Sequence, residues 1–272
     1  MTLCSAVTLA YFSPTGTTRA VLEALAQPLA SIGVRHIDLT LPGAETQKLP
    51  ELESNLVLLG VPVYAGRVPE TAVRRLRRLS GHGAPAVLVV VYGNRAFEDA
   101  LVELSDIARE RGFVPIAGAA FIGEHSYSTP ATPIAAGRPD VADLARARVL
   151  GQTVRDRLAE VADLASMQPL QLPGNRPYRQ GMSPSEVAPE TDRGLCTLCE
   201  ACARVCPVAA ITVGDRVLTD GAACILCCAC VKACPTGART MADPGVRHTA
   251  HWLATEHGAR KEAEIFISEV RG

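Results

Sequence analysis

The sequence predicts an α/β domain with a doubly wound, five-stranded parallel sheet, followed by a small cysteine-rich α+β module. The first observation is that residues 1–165 alternate short apolar runs with segments whose apolar residues recur every three or four positions, as strands and amphipathic helices do. The second is that all but one of the ten cysteines lie between 196 and 234. A chain of 272 residues that is 48% hydrophobic is large enough for both units.

Five apolar runs are the predicted strands. Two of them, NLVLLGV and AVLVVVY, are continuous, which is typical of parallel strands covered on both faces. The predicted strands span 3–12, 34–39, 55–61, 86–92 and 114–121. The predicted helices span 17–32, 70–79, 97–111 and 140–164.

The remaining sequence suggests three further segments. Prolines at 169, 173, 177, 184 and 189 predict an extended linker over 166–190. The cysteine module follows at 191–243, and residues 244–272 form a tail with a helix that contains Trp252 and ends near Phe266.

Charge and hydropathy exclude some classes of function. The 27 basic and 28 acidic residues give a net charge of −1, so no nucleic-acid footprint is present. The N-terminal residues lack the basic segment and cleavage site of a secretory signal, and no long uncharged apolar run predicts a membrane span. We therefore expect a cytoplasmic protein.

The cysteines form an internal repeat. Cys196, Cys199, Cys202 and Cys206 recur 28 positions later as Cys224, Cys227, Cys230 and Cys234, and a proline follows each run. The pattern C-x2-C-x2-C-x3-C-P predicts two 4Fe-4S clusters, and the fourth cysteine of each run ligates the other cluster. Structural zinc is the alternative, but two duplicated runs overfill a pair of zinc knuckles.

This module resembles the two-cluster bacterial ferredoxins over about 50 residues. The first cluster would then take Cys196, Cys199, Cys202 and Cys234, and the second would take Cys224, Cys227, Cys230 and Cys206. Cys228 lies outside the repeat, and Cys4 lies on the first strand. We expect both to be small buried apolar residues rather than ligands.

A hydroxyl-rich turn joins the first strand to the first helix. It contains Ser13, Thr15, Gly16, Thr17 and Thr18 and has neither a lysine nor a GxGxxG pattern. Such a turn either caps the helix or binds a phosphate group at the helix N-terminus.

Two more loops follow the carboxyl ends of the third and fourth strands, where ligands bind in open α/β sheets. Each offers an aromatic residue and a glycine. The binding candidates from these loops are Pro62, Val63, Tyr64, Ala65, Gly66, Arg67, Tyr92, Gly93, Asn94, Arg95 and Phe97.

With these three loops, residues 1–165 resemble flavodoxins. The YGNR loop, HSYS (125–128) and AAGRPD (135–140) are similar to fused flavodoxin–ferredoxin proteins of the EFR1 type. The resemblance implies that the hydroxyl-rich turn holds the phosphate of FMN and that 64–67 and 92–97 line its isoalloxazine ring. Tyr64 and Phe97 are the candidates for stacking on the ring, because the only tryptophan lies far away in the tail.

Three charged or titratable residues are candidates for action near the flavin. A cation at Arg67 or Arg95 would stabilise the reduced anion and raise the flavin potential, unless these side chains bind elsewhere. His125 either exchanges a proton with the flavin or is structural. On the helix TAVRRLRRL, the arginines at 74, 75, 77 and 78 form a solvated face or a docking patch.

The leading functional hypothesis is an electron conduit between two 4Fe-4S clusters and FMN, serving a redox partner protein or a small acceptor. The alternative is an FMN-dependent reductase of a bound acceptor, such as a quinone or corrinoid, fed by its own ferredoxin module. A redox sensor is a third class. No strong nucleophile or acid–base set is present, and this favours electron transfer.

Overall fold

A computed structural model describes residues 6–52, 55–161, 163–183 and 185–270. Cys4 and the start of the first predicted strand lie outside the described residues. The first five strands are β1 (Ala6–Tyr11), β2 (Val34–Asp38), β3 (Asn55–Pro62), β4 (Pro85–Tyr92) and β5 (Val114–Ile122). They pair in parallel in the order β2-β1-β3-β4-β5. This is the doubly wound order of flavodoxin-like sheets, and the predicted fold class is confirmed.

Helices cover both faces of the sheet. They are α1 (Thr17–Ala26), α2 (Glu70–Leu76), α3 (Ala100–Glu110) and α4 (Val141–Glu160). Helices α1 and α4 pack into one buried cluster, and α2 and α3 pack into the other. The strands β3 and β4 are buried along their whole length, as their continuous apolar sequences predict.

The first helix is shorter than the predicted segment 17–32. It ends at Ala26, and a 3-10 turn, Gln27–Ile32, follows. Pro28 lies in that turn and has no backbone N–H to continue an α-helix. The fourth helix begins just after Asp140, whose side chain caps it and forms a capping box with Asp143.

The cysteine module has two similar halves. Its elements are β6 (Glu190–Thr191), α5 (Ala201–Arg204), β7 (Ile211–Val213), β8 (Val217–Thr219), α6 (Ala229–Lys232) and β9 (Arg239–Thr240). β7 pairs with β8, and β6 pairs with β9. The backbone repeats with the sequence, because Glu200 (φ 61°) and Cys228 (φ 54°) each precede a four-residue helix.

The tail differs from the sequence-based expectation. Its helix α7 (Pro244–Glu256) ends ten positions before Phe266, and Phe266 lies in a sixth strand, β10 (Glu264–Ile267). That strand pairs antiparallel with β5 from Glu264–Ala120 to Ile267–Ala117. It covers the edge of the sheet that β5 would otherwise expose, and no local pattern in the tail indicates this long-range pairing.

The proline-rich segment 166–190 has little regular structure and is bound along α3. Asn175 and Arg179 donate backbone N–H groups to the Asp99 carboxylate at 2.8 and 2.7 Å. Arg176 and Tyr178 both bind Asp106. The segment is therefore attached to the first domain rather than free. Within the described ranges, no helix is long and apolar enough to cross a membrane.

Candidate functional site

A cleft lies at the carboxyl end of the parallel sheet. It encloses about 1030 Å³ of space between atoms, including its open mouth. The loops after β1, β3, β4 and β5 form one side, and the cysteine module, the linker and α7 form the other. The sequence-predicted residues that line it are Thr15, Thr17, Pro62, Val63, Tyr64, Ala65, Gly66, Tyr92, Gly93, Arg95 and His125.

The hydroxyl-rich turn forms one end of the cleft. Gly16 adopts φ 82° at the N-cap of α1 and has no side chain to cap the helix, so the first N–H groups of α1 depend on partners other than the N-cap residue. Ser13 lies behind the turn, and its hydroxyl accepts the N–H of Arg19 at 3.1 Å. Thr18 is fully buried with an unpartnered hydroxyl. The cleft therefore meets Thr15 and Thr17 directly, while Ser13, Gly16 and Thr18 shape the turn.

The loop after β3 is a tight hairpin that presents Tyr64. Ala65 and Gly66 both have positive φ (50° and 78°), and Tyr64 and Arg67 exchange backbone hydrogen bonds across them. A two-residue turn of this kind needs positive φ at both central positions. Burial raises the pKa of Tyr64 well above its usual value.

Arg67 does not lie in the cleft. Its guanidinium binds Glu103 through two contacts of 2.7 Å and donates to the Arg179 carbonyl at 2.6 Å. It also lies 4.7 Å from the centre of the Tyr178 ring. Of the two alternatives for Arg67, the structure favours a side chain that binds elsewhere, because the Glu103 carboxylate neutralises its charge and the Arg179 carbonyl of the linker accepts from it.

Of the predicted binding residues in the loop after β4, some lie in the cleft and others lie outside it. Arg95 lines the cleft, with its charge paired to Glu98 at 2.8 and 2.9 Å. Phe97 is buried against Tyr92, with ring centres 5.6 Å apart, and is not in the cleft lining. The expectation that Phe97 stacks on a cofactor is not supported. Asn94 is also outside the cleft, and its amide binds the C-terminal segment.

His125 lies in the cleft wall over Gly93. A Cβ on Gly93 would lie 2.2 Å from the His125 ring, so only glycine fits beneath it. The Nδ1 atom accepts the N–H of Tyr127 at 3.0 Å, which places the proton of the neutral ring on Nε2. Burial, followed by the charges of Lys232 and Arg95, lowers the pKa of His125 to about 4. The ring is thus neutral at pH 7 and is suited to donate a hydrogen bond rather than to supply a proton.

Several cleft residues were missed by sequence reasoning. They come from segments that are distant in the chain: Tyr127, Met182, Ile225, Leu226, Thr249, Trp252 and Leu253. Tyr127 lies inside the HSYS motif, which was a usable signal. For Trp252, the only signal was that it is the single tryptophan of the sequence. Its position in the cleft depends on how the tail folds back against the sheet.

The eight repeat cysteines surround two small cavities. Cys196, Cys199, Cys202 and Cys234 line one cavity, with about 310 Å³ of space between atoms including its open side. The other cavity, with about 320 Å³ on the same basis, is lined by Cys206, Cys224, Cys227 and Cys230, together with Cys228. Among the described residues, no three His, Cys, Asp or Glu side chains converge closely enough to hold a single metal ion. The thiols are instead spread around the cavities.

A buried cation lies between these cavities. Arg239 is 3% exposed, lines the first cavity and approaches the sulfur of Cys230 at 3.5 Å. Among the described residues, its other side-chain hydrogen bond goes to the Thr191 hydroxyl at 2.8 Å, its Nε has no partner, and neither of its two side-chain partners is a carboxylate. Burying an unpaired charge is costly. An iron–sulfur cluster with its four thiolate ligands has a net negative charge and would supply the missing countercharge. The cysteines and Arg239 therefore fit iron–sulfur clusters.

Cys228 is buried and lies beside the second cavity, in agreement with the expectation of a small apolar residue. Burial raises the pKa of its thiol to about 12. Burial likewise raises the pKa of the neighbouring Cys224 and Cys227 thiols. Since iron binds thiolates, loading the site with iron would release protons from Cys224 and Cys227.

The two units are joined close to the cleft. Arg75 on α2 is 1% exposed and donates to the Pro207 carbonyl, just after Cys206, at 2.8 Å. Lys232 on α6 binds Glu124, which lines the cleft, at 2.5 Å. The arginine run on α2 is thus partly a docking patch and partly a solvated face, since Arg74 and Arg77 are exposed.

Comparison with known proteins gives a partial match. The model of a family described as "4Fe-4S binding domain" matches residues 189–212, and no curated protein matches the sequence. Among solved structures, a flavodoxin from the domain Archaea is 18% identical with a TM-score of 0.40, over 57% of this chain and 99% of that one. A Fusobacterium nucleatum flavodoxin bound to flavin mononucleotide is 13% identical, with a TM-score of 0.35, over 56% of this chain and 98% of that one.

A rubredoxin oxygen:oxidoreductase from the anaerobe Desulfovibrio gigas is 16% identical, with a TM-score of 0.42. The match covers 58% of this chain and 37% of that chain. Because these sequence identities are low, the fold of the first domain is assigned from its own strand order.

Proposed function

We propose that this protein transfers electrons between two 4Fe-4S clusters and one FMN held in the cleft, and that it belongs with flavodoxin–ferredoxin fusions of the EFR1 type. One observation carries the proposal: Ile225 lines both the cleft and the second cysteine cavity. The flavin-sized cleft and a cavity surrounded by thiols therefore share Ile225 as a lining residue. When bound, iron–sulfur clusters exchange single electrons and a flavin accepts one or two.

In this proposal the crossing ligand scheme is retained. Cys196, Cys199, Cys202 and Cys234 hold the outer cluster, and the cavity lined by these four thiols supports this set. Cys206, Cys224, Cys227 and Cys230 hold the cluster next to the cleft, supported in the same way. Arg239 contributes positive charge between the two sites.

The cleft residues fit an FMN-sized ligand. The N-terminal turn of α1, with Thr15 and Thr17, offers N–H and hydroxyl donors to a phosphate. Tyr64, Tyr92, Tyr127 and Trp252 offer aromatic surface along the cleft. His125 presents Nε2–H, and Arg95 remains charge-paired with Glu98. These residues bind and orient the ligand, and none of them forms a nucleophile–base pair.

The cofactor content is tested by anaerobic purification followed by assays for iron, sulfide and flavin. We expect about eight irons and about one FMN per chain. Zinc without sulfide would overturn the cluster assignment, and a cleft that binds no flavin after titration with FMN would overturn the flavin assignment.

The proposed order of electron transfer, from the outer cluster through the inner cluster to FMN, is tested with two cysteine variants. C227S removes a proposed ligand beside the cleft, and C199S removes one from the outer cavity. We expect that C227S abolishes flavin reduction by electrons entering through the clusters, while chemical photoreduction of the flavin remains. Wild-type rates of cluster-to-flavin transfer in C227S would refute the proposed order.

A reductase acting on a bound acceptor is the second candidate. It is favoured by the cleft mouth, where Met182 and Trp252 remain 42% and 43% exposed. This function would be supported by an acceptor that binds the flavin-loaded protein and is reduced at a rate that saturates with acceptor concentration. Acceptor-independent transfer to a redox protein would favour the conduit.

A further inference from the structure

The segment that follows the cysteine module closes the cleft from outside. Thr249, Trp252 and Leu253 on one side of α7 line the cleft, and β10 then adds to the sheet beside β5. A chain segment of more than 120 positions separates these residues from the loop of His125. The outer wall of the cleft is therefore supplied by the end of the chain rather than by the first domain.

This segment is fixed to the loop that follows β4. The buried amide of Asn94, 2% exposed, donates to the carbonyls of His257 at 2.6 Å and Ala259 at 2.8 Å. Lys261 donates from Nζ to the Arg95 carbonyl at 2.5 Å. Two neighbouring residues of the cleft loop thus hold the turn between α7 and β10.

A second attachment comes from the loop after β5. Arg138, from the AAGRPD motif, binds the buried Asp143 and donates to the Lys261 carbonyl at 3.1 Å. Ile134 packs with Ala250 and Leu253, and Tyr127 borders this small apolar cluster. Hydrogen bonds and apolar contacts therefore both fix the helix over the cleft.

We infer that the segment 244–267 is a clamp that completes the FMN site, with Trp252 as a binding residue for the flavin ring and Asn94 as the residue that holds the clamp in place. The inference rests on the proposed function. An indole has the flat apolar faces that a flavin ring binds, and Trp252 is still partly exposed in the cleft. The first domain supplies Tyr64, Tyr92 and His125 as the inner wall.

Because the clamp and the ligand share a surface, each stabilises the other. FMN binding is expected to slow amide hydrogen exchange in 244–267. Loosening the clamp is expected to weaken FMN binding without removing the thiol ligands, all of which lie before residue 244.

The test uses the full chain, deflavinated and titrated anaerobically with FMN while the flavin fluorescence is followed. W252A should raise the Kd for FMN about three- to tenfold, the range of one aromatic contact. W252F should recover most of the loss, because phenylalanine keeps an aromatic face. H251A is the matched control on the same helix, since His251 is exposed and does not line the cleft.

N94D tests the anchor. Aspartate has nearly the same shape but cannot donate to the two carbonyls, so exchange in 244–267 should accelerate and the Kd for FMN should rise. Wild-type iron content shows that the cysteine module is intact. If N94D loses its iron, it is misfolded, and W252A with W252F decides the question.

Equal Kd values for wild type, W252A and H251A would overturn the clamp. A wild-type chain that binds no FMN would instead overturn the proposed function, so the two failures are distinguishable.

Discussion

Replacing Arg75 with methionine is expected to loosen the junction between the two units. The guanidinium is buried and donates to the carbonyls of Leu39 at 3.1 Å, Thr40 at 2.6 Å and Pro207 at 2.8 Å. It also contacts Glu45 at 3.1 Å. Methionine keeps an unbranched apolar stem but has no hydrogen-bond donor, so three buried carbonyls lose their partner.

The magnitude follows from the number of acceptors left without a donor. Each costs about 1–3 kcal/mol, and we take about 1 kcal/mol for each because a carbonyl can still attract water. Two of them follow β2, so the opening free energy there should fall by about 2 kcal/mol, and by about 1 kcal/mol at Pro207. With about 1.4 kcal/mol per factor of ten, amide exchange should accelerate about 30-fold near 39–46 and about fivefold near 205–211.

Hydrogen exchange followed by mass spectrometry on the full chain measures both regions at once. The matched control is R77M at the C-cap residue just after α2, where the half-exposed Arg77 meets a half-exposed Glu110 at 3.1 Å. Exposed pairs of this kind contribute about 0–1 kcal/mol, so exchange should change little. If R75M and R77M leave the 205–211 segment equally protected, the reasoning about the junction is wrong.

Three further outcomes are expected. The pKa of His125 is lowered to about 4 in the folded chain from an ordinary value of 6.5, so its contribution to stability is present above pH 6.5 and is lost as the pH falls toward 4. The apparent Tm of wild type should therefore fall more steeply than that of H125Q over this range, and parallel curves would contradict the assignment. R239M removes the buried cation 3.5 Å from the Cys230 sulfur and should lower the cluster potentials in an EPR-monitored titration, with R239K intermediate; unchanged potentials at full iron content would refute this. G93A places a Cβ 2.2 Å from the His125 ring and should reduce bound flavin, whereas G43A, with open space around its Cβ, should not; equal flavin content in both variants would contradict the packing.

Much of the fold could be predicted because its signals are local. Continuous apolar runs indicate the buried strands β3 and β4, and the alternation with helices indicates a doubly wound sheet. The end of α1 also had a local signal, Pro28, which the predicted helix 17–32 ran past. The sixth strand was missed because Glu264–Ile267 is short and its partner lies more than 140 positions earlier.

The candidate site likewise has residues that the sequence could predict and residues that it could not. Tyr64, Tyr92 and Arg95 follow the ends of predicted strands and do line the cleft. Arg67 and Phe97 lie in the same loops but turn toward Glu103 and the core. Loop membership is a property of the sequence, but the direction of a side chain depends on partners that are remote in the chain.

The eight cysteines show most clearly what the sequence determined by itself. Their spacing of two, two and three residues, repeated after 28 positions, follows from the local geometry of cluster binding and needs no knowledge of the fold. The strand–helix order and the hydroxyl-rich turn are local in the same sense. Only the tertiary structure decided that Ile225 borders both a cysteine cavity and the cleft and that Trp252 lies in the outer wall of that cleft. These relations arise from packing between segments that are far apart in the chain, where burial and paired hydrogen bonds determine which surfaces meet.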